Sequence, residues 1–397
     1  MKTKIFFLSL VFAASTVFAQ TKNIHFETTT FAEIKVKAKK ENKLIFIDAY
    51  TVWCGPCKWL AKNVFTNDTV ADYFNSKFIN AQFDMEKGEG IDLAKLYEIQ
   101  CFPNLLFIDG DGKLIHRRAG AMSVQDFMYF AENAFNPQER FSKYKDEYAA
   151  KKTDAVFLTE YIGAISRTCL PFDDILQDYF KTQKDEALTS RANWNIIKNY
   201  SSDYKSREFI YLLNNVELYN KAYTSDSVAT KIMEVFLNGG YSIVYKKDVK
   251  ETDYTDYIEE IKKIKFSTQD EVLFNLDVFY YKKNGNWKQY IDLVVEKGDT
   301  YFHASDVYNN NAWAIYEHSD DKIALQKAES WMQKALQKDP EWAFYDTYAA
   351  VLFKLNKKQE AKAAATKAIE IAKTEGVPED GYQETVELLK KIEKLKG

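Results

Sequence analysis

The sequence predicts an α/β domain followed by an all-α array of helical hairpins. One observation is the run Leu44–Tyr50, which is apolar on both faces, as a buried strand should be, and precedes a C-x-x-C motif. Another is the change after residue 136, where helical spacing of apolar residues replaces strand signals almost to the end of the chain. A length of 397 residues is also more than one domain usually needs.

The C-x-x-C motif indicates a redox dithiol, because it follows a strand and opens a helix. Cys54 is expected at the helix N-terminus, where free backbone N–H groups and the helix dipole favour a thiolate and lower the pKa of the thiol. Cys57 lies one turn further on the same side of the helix and can attack a mixed disulfide formed on Cys54. Pro56 suits the first helical turn, where its missing N–H costs little.

Two other interpretations of this cysteine pair remain open. A structural disulfide would join the same two sulfurs without chemistry. A zinc site would need four ligands, usually from two such pairs. The other candidates are Cys101, Cys169, His25, His116, His303 and His318, none of them at ligand spacing. We therefore expect no metal.

Residues 53–58, Trp-Cys-Gly-Pro-Cys-Lys, resemble the thioredoxin active site. Asp48 precedes Cys54 by six residues, where thioredoxins keep a buried acid. Segment 102–104 resembles the cis-proline loop, and segment 119–123 resembles the glycine turn before the last helix. The resemblance covers residues 24–135. Within it, segments 58–65 and 84–87 are similar to secreted thioredoxin-like proteins and to the thioredoxin-like domains of periplasmic thiol:disulfide interchange proteins.

The resemblance implies a fold and an activity. The fold is a central mixed sheet flanked by helices. In the activity, Cys54 attacks a substrate disulfide, Cys57 resolves the mixed disulfide and Asp48 shuttles the proton. The implied substrate contacts are Trp53, Gly55, Pro56, Phe102 and Pro103. The redox-active disulfide of Cys54 and Cys57 takes the place of a cofactor, so none is expected.

One position departs from the family pattern. Gln82 stands where many thioredoxins carry a lysine that pairs with the buried acid, so Asp48 and the cysteines should titrate differently. A buried, unpaired carboxylate is costly and tends to take up a proton. The alternative for Asp48 is a solvent-reaching carboxylate with a backbone partner. Phe102 likewise is either a substrate contact or a core-facing ring.

The two remaining cysteines have less definite roles. Cys101 lies two residues before Pro103 and is either a third redox thiol or, as is commoner, a small buried side chain. Cys169 lies in the helical region and is expected to be a buried core thiol.

Composition and the N-terminus indicate the setting. A net charge of −4 and the lack of a basic stripe argue against nucleic acid as a partner. Residues 1–19 combine a basic start, a short apolar run and Val-Phe-Ala, which is typical of a signal peptide. The apolar run is too short to span a membrane, so no stable span is expected after its removal; a retained N-terminal anchor is the alternative. The expected location is periplasmic or secreted.

Within residues 20–135 the pattern predicts the elements of the α/β domain. The predicted strands are 23–26, 44–50, 78–83, 105–108 and 113–117, and the predicted helices are 30–40, 57–64, 69–75, 93–97 and 123–135. A longer loop is expected at 86–90. Residues 109–112, Asp-Gly-Asp-Gly, predict a hairpin turn between the last two strands.

Asn136 and Pro137 mark the expected end of this domain, as a cap residue and a proline at the first helical position. A helical array is predicted over 136–308, with breaks at 201–202, 224–227, 238–240 and 284–285.

A repeat characterises residues 309–397. Ala328, Met332 and Ala335 recur 33 residues later as Ala361, Ala365 and Ala368, close to the period of tetratricopeptide repeats. Small residues at these positions let the two helices of a hairpin approach closely. We therefore predict tetratricopeptide-like repeats in this part of the chain.

These observations favour an exported enzyme that reduces disulfide-containing proteins. Reduction is the favoured direction because the Gly-Pro pair between the cysteines resembles that of reducing thioredoxins. The helical region is expected to bind a client or partner, since stacked hairpins form concave binding surfaces. Because an exported dithiol stays reduced only if it is re-reduced, a membrane or periplasmic electron donor is implied. One alternative is a non-catalytic helical-repeat adaptor or chaperone that uses the first domain as a docking surface. Another is an electron relay to a second secreted protein.

Overall fold

The computed structural model describes residues 22–246 and 250–394. The predicted signal peptide at 1–19 lies outside this range. The described residues up to Tyr200 form one compact unit, and those from Ser201 onward form a second. The domain limits expected from the sequence, at 135/136 and 308/309, remain predictions.

A five-stranded mixed sheet forms the centre of the first unit. Its strands are β1 (Phe26–Glu27), β2 (Leu44–Tyr50), β3 (Phe78–Asp84), β4 (Asn104–Ile108) and β5 (Leu114–Ala119). Their spatial order is β1-β3-β2-β4-β5. Strand β2 pairs in parallel with β3 and antiparallel with β4, so the predicted mixed sheet is confirmed.

Strand β2 is buried on both faces. Phe46 packs with Leu60 and Phe127 on one face, and Ile45 and Ile47 pack with a second cluster on the other. Because side chains alternate along a strand, Asp48 lies on the same face as Phe46, beneath the helix that carries Leu60. The strand therefore places a carboxyl group under the C-x-x-C helix.

Five helices accompany the sheet: α1 (Phe31–Glu41), α2 (Gly55–Asn63), α3 (Asp68–Lys77), α4 (Glu89–Leu96) and α5 (Val124–Asn133). Thr30 caps α1 in a capping box with Glu33, and Ser123 caps α5, as predicted. Helix α4 begins at Glu89, earlier than expected. Gly90 allows this start, because a Cβ there would collide with the carbonyl of Asp84.

Four further helices belong to the first unit: α6 (Phe141–Lys151), α7 (Ala155–Ile165), α8 (Asp173–Thr182) and α9 (Arg191–Tyr200). The prediction that Pro137 opens a helix is wrong. Residues 137–139 form a turn, and α6 begins at Phe141, whose backbone N–H donates to Nδ1 of His116 at 2.9 Å. Burial and nearby arginines lower the pKa of His116 to about 4, so this imidazole is neutral and can accept the bond.

The second unit consists of helices joined by turns and loops, with no strand among its described residues. Its helices are α10 (Arg207–Asn214), α11 (Val216–Ala222), α12 (Ser225–Val244), α13 (Glu251–Lys262), α14 (Gln269–Lys283), α15 (Trp287–Tyr301), α16 (Ser305–His318), α17 (Lys322–Lys338), α18 (Trp342–Lys354), α19 (Lys358–Thr374) and α20 (Gln383–Lys394).

The predicted repeat is confirmed as two helical hairpins. Helix α16 packs against α17, and α18 packs against α19. The repeated small residues, Ala328, Ala335, Ala361, Ala365 and Ala368, are fully buried. The C-terminal region is thus a tetratricopeptide-like array, as its 33-residue period indicated.

The predicted break at 238–240 is wrong, because α12 continues through it. A Cβ at Gly239 would collide with the hydroxyl of Tyr257, and a Cβ at Gly240 would collide with Leu276. The glycines are present because other helices approach this one closely, not because the chain turns.

Among residues 22–246 and 250–394, no helix is both long and apolar enough to cross a membrane.

We predict that Gly240→Ala destabilises the protein by about 1–3 kcal/mol, because the added methyl group overpacks the contact with Leu276. Urea unfolding of the second unit measures the loss. The matched control is Asn238→Ala, an exposed change in the same helix that should alter stability by less than about 0.5 kcal/mol. Equal effects of the two variants would show that this helix contact is not close.

Candidate functional site

The C-x-x-C motif lies at the start of α2, and its two sulfurs form a disulfide. Cys54 is the N-cap residue, as the motif predicted, and the backbone N–H of Cys57 donates to its Sγ at 3.1 Å. Both cysteines are buried. After reduction, this N–H and the helix N-terminus favour a thiolate on Cys54.

Asp48 is 1% exposed, so the alternative of a solvent-reaching carboxylate is wrong. Its Oδ2 accepts a hydrogen bond of 2.8 Å from Nε2 of Gln82, directly across the parallel pair of strands β2 and β3. Its Oδ1 is buried without a hydrogen-bond partner. Burial raises the pKa of Asp48 to about 7, although the bond from Gln82 opposes the rise. The group can therefore take up or release a proton near neutral pH.

The loop before strand β4 contains the predicted cis-proline, since the Phe102–Pro103 peptide bond is cis. The ring of Phe102 is half-buried and meets the ring of Trp53 edge-to-face, with centroids 6.0 Å apart. Phe102 also packs against the core cluster on one sheet face. The core-facing interpretation is thus met in part, and the substrate contact stays a prediction.

The remaining predicted contacts are on the surface beside the disulfide. Trp53 is 65% exposed, and Gly55 and Pro56 are exposed as well. A Cβ at Gly55 would meet nothing within 4 Å, so open space lies next to the motif. Nε1 of Trp53 donates to both carboxylate oxygens of Glu86, at 3.0 and 3.1 Å, which holds the indole in place.

The expectations for the other two cysteines need correction. Cys101 and Cys169 form a second disulfide, with Cα atoms 6.2 Å apart. Cys169 is exposed and is not a buried core thiol. Cys101 is not a free redox thiol, because it is bonded to Cys169, and it is only half-buried, so it is not a small side chain in the core. The bond joins the cis-proline loop, residues 98–103, to the turn after α7.

Sequence reasoning also missed Glu86 and Arg117, whose side chains act on neighbours that are distant along the chain. The second disulfide had a signal that was not used. An exported chain with four cysteines, an even number, is expected to pair them. For Arg117, the alternation of strand β5 indicated an inward-facing side chain, but not what it would bind.

In the described part of the chain, no group of three or more His, Cys, Asp or Glu side chains lies together as a metal site would require. The four cysteine sulfurs form two separate disulfide pairs.

Comparison with known proteins places the similarity in the N-terminal part. A family model described as a thioredoxin-like domain matches residues 31–134. Thioredoxin Y, chloroplastic, of Oryza sativa subsp. japonica is 26% identical over 29% of this chain and 64% of its own length. Thiol:disulfide interchange protein DsbD of Yersinia pestis is 29% identical over 25% of this chain and 17% of its own length. The chain thus spans less than two thirds of these curated relatives.

Among solved structures, a Bacteroides thetaiotaomicron protein named as a disulphide isomerase is 42% identical. The match covers 30% of this chain and 98% of that protein, with a TM-score of 0.28.

We predict that Asp48→Asn removes a pH dependence of stability. The folded wild type keeps a proton on Asp48 up to about pH 7, whereas the unfolded chain releases it near pH 4, so wild-type stability falls as the pH rises between these values. The variant should therefore be more stable than the wild type at pH 8, by on the order of a few kcal/mol, and similar at pH 4. Urea unfolding of the oxidised protein measures this difference.

The control for that measurement is Asp92→Asn, an exposed carboxylate, which should keep the wild-type pH dependence. If Asp48→Asn also keeps it, Asp48 is ionised in the folded protein at neutral pH and the assigned protonation is wrong.

Proposed function

Residues 31–134 form a thioredoxin-like domain with a Cys54–Cys57 disulfide, and on that premise we propose that the protein is an exported thiol-disulfide oxidoreductase that reduces disulfides in client proteins. The observation that carries the proposal is the position of this cysteine pair at the N-terminus of α2, on the sheet face that also buries Asp48.

The proposed reaction begins with the reduced dithiol. The Cys54 thiolate attacks one sulfur of the substrate disulfide, the substrate S–S bond breaks and one substrate thiolate leaves. Asp48 accepts the proton of the Cys57 thiol, and the resulting thiolate attacks Sγ of Cys54. The second substrate thiolate leaves, so the substrate gains two electrons and the enzyme is left as the Cys54–Cys57 disulfide. No cofactor beyond this pair takes part.

A pKa of about 7 suits Asp48 to this role, because general acid-base catalysis is most efficient when the pKa lies near the working pH. With Gln82 in place of a cation, the amide hydrogen bond favours the ionised carboxylate but does not outweigh burial, which keeps the pKa of Asp48 raised to about 7. Near neutral pH, Asp48 is therefore partly protonated and can both accept the proton of Cys57 and release it.

The site of action is proposed to be the periplasm or the exterior. The sequence pattern of residues 1–19 supports export. The second disulfide, Cys101–Cys169, supports it too, because disulfides persist in oxidising compartments. A dithiol donor in the membrane or periplasm would then re-reduce Cys54 and Cys57 after each cycle.

The helical region is proposed to bind the client or a partner protein. A groove of about 540 Å³ runs along α16, α18 and α20 of the second unit. Its aromatic walls include Trp287, Trp313 and Trp342. Its charged lining consists of one lysine and four carboxylates, namely Lys282, Glu317, Asp346, Asp380 and Glu384, so negative charge prevails. Burial and the nearby Glu384 raise the pKa of Asp346, although its bond from Thr385 opposes this. An arriving cation would relieve that carboxylate repulsion, so the groove favours a segment with Lys or Arg.

We predict that Cys54→Ser abolishes disulfide reductase turnover and that Cys57→Ser stops after the first step and accumulates a mixed disulfide with the substrate. Turnover of a protein disulfide with a dithiol reductant, together with mass spectrometry, tests both. The matched control is Ser76→Ala, a substitution of an exposed hydroxyl in α3. No turnover by the wild type would favour the non-catalytic adaptor.

We predict that the Cys54–Cys57 pair equilibrates with glutathione or dithiothreitol at a potential near the thioredoxin value of about −270 mV. Its Gly-Pro dipeptide resembles that of reducing thioredoxins. A potential between about −120 and −180 mV would instead indicate an oxidase or isomerase and would reverse the proposed direction.

We predict that Glu384→Gln weakens binding of a labelled Lys- and Arg-rich peptide by about 3- to 10-fold, because one charge-assisted contact is lost. Fluorescence anisotropy at constant salt measures this. The control is Glu387→Gln, an exposed change on the same helix, outside the groove. Equal affinity of both variants and the wild type would remove the groove as the binding surface.

A further inference from the structure

We propose that the Cys101–Cys169 disulfide is a positioning element for substrate binding, which holds the cis-proline loop beside the dithiol and takes no part in electron transfer. This inference rests on the proposed function. The cis-proline loop, residues 98–103, leads from α4 to strand β4.

A single buried guanidinium ties both ends of the cis-proline loop. Nη1 of Arg117 donates to the carbonyl of Tyr97 at 2.8 Å, and Nη2 donates to Oδ1 of Asn104 at 3.2 Å. Arg117 is 3% exposed, so these bonds are shielded from water. At the end of the loop, the backbone N–H of Gly120 donates to the carbonyl of Pro103 at 2.8 Å.

The disulfide ties the middle of the loop. Cys101 lies between the two ends that Arg117 holds, and its Sγ is bonded to Cys169 of the turn after α7. The separation of 68 residues makes this an anchor to a distant part of the chain. Without it, the segment between Glu98 and Phe102 would lose its covalent link to the helices that follow the sheet.

The turn that provides the anchor is itself held firmly against the sheet. The carbonyl of Arg167 accepts from the backbone N–H of Ala119, at the end of strand β5, at 2.7 Å. Thr168 is fully buried, and its hydroxyl donates to the carbonyl of Ile165 at 2.6 Å. Cys169 has a φ of 60°, a conformation uncommon for residues other than glycine, and it is kept there by these surrounding contacts.

The position of Phe102 links this anchor to the substrate. Phe102 follows Cys101 directly, and its ring meets that of Trp53, the neighbour of Cys54. If Cys101 is released, the surface formed by Phe102 and Trp53 loses the covalent tie next to Phe102, and its geometry is less well fixed. The contacts of α2, Asp48 and Gln82 do not involve this disulfide, so they remain when it is removed. A large substrate that lies across the loop should therefore bind less well, while the chemistry of the dithiol stays the same.

The test compares three full-length proteins: the wild type, the double variant Cys101→Ser/Cys169→Ser, and Ser166→Ala. The last is the matched control, because it removes an exposed hydroxyl from the same turn and leaves the disulfide intact. Turnover is measured with a protein disulfide such as insulin and with a small aromatic disulfide. The equilibrium of Cys54 and Cys57 with glutathione is measured in parallel.

For the double variant we expect the KM for the protein disulfide to rise about 3- to 10-fold, with kcat changed less than about 2-fold. The KM for the small disulfide and the equilibrium with glutathione should not change, because neither depends on the loop. Ser166→Ala should match the wild type in all four measurements.

An unchanged KM for the protein disulfide in the double variant would overturn the inference and leave the bond a structural link. Loss of turnover with both substrates, or a changed equilibrium with glutathione, would overturn it by placing the pair in the electron path. If the wild type itself has no turnover with either substrate, the proposed function fails, and this inference fails with it.

A second measurement covers the case in which the double variant does not fold. The wild type is treated with graded dithiothreitol, and alkylation with mass spectrometry identifies protein in which Cys54 and Cys57 alone are reduced and protein in which both pairs are reduced. The second form should show the raised KM for the protein disulfide. The same KM in both forms would overturn the inference.

Discussion

Burial of strand β2 on both faces is the constraint on which the rest of the first unit depends. The strand has neighbours on each edge and aromatic or aliphatic clusters above and below, so its register cannot shift without moving every side chain to the wrong face. That fixed register puts Asp48 under α2 and ends the strand where the chain turns into Cys54. The position of the dithiol therefore depends on the central, doubly buried strand of the sheet.

A buried carboxyl group in this strand lowers stability at neutral pH, and the structure offsets the cost only in part. Gln82 supplies one hydrogen bond, yet one oxygen of Asp48 stays without a partner. A lysine at position 82 would have favoured the ionised form, whereas an amide leaves the pKa near 7. Groups of this kind, costly for folding and titrating near working pH, are concentrated at functional sites.

The cis-proline loop is a second part of the candidate site, and its geometry is held by contacts with other segments. A loop carries few contacts of its own, so its geometry has to come from neighbours. Arg117 holds its two ends with charge-assisted hydrogen bonds, and the Cys101–Cys169 bond holds its middle. The helices that follow the sheet are thus linked covalently to this loop through the turn at Arg167 to Cys169, within the same compact unit.

The sequence by itself determined the features whose signals lie close together along the chain. The apolar run of β2, the caps at Thr30 and Ser123, the motif at Cys54 and the alanine repeat could all be read locally, because strand, cap and helix patterns depend on neighbouring residues. The family resemblance extended this to the mixed sheet and the cis-proline. Even so, two helices begin at other residues than the sequence predicted. Helix α4 begins earlier, where Gly90 allows close packing, and α6 begins later, after the turn that contains Pro137.

Only the tertiary structure decided which distant groups meet. The partner of Cys101, 68 residues away, the two acceptors of Arg117 and the protonation of Asp48 depend on how separate segments pack. Gly239 and Gly240 are a further example. Their sequence predicted a break in the helix, whereas in the structure they let Tyr257 and Leu276 approach a continuous helix closely. Burial, charge environment and close approach are properties of the three-dimensional arrangement, and one-dimensional spacing does not contain them.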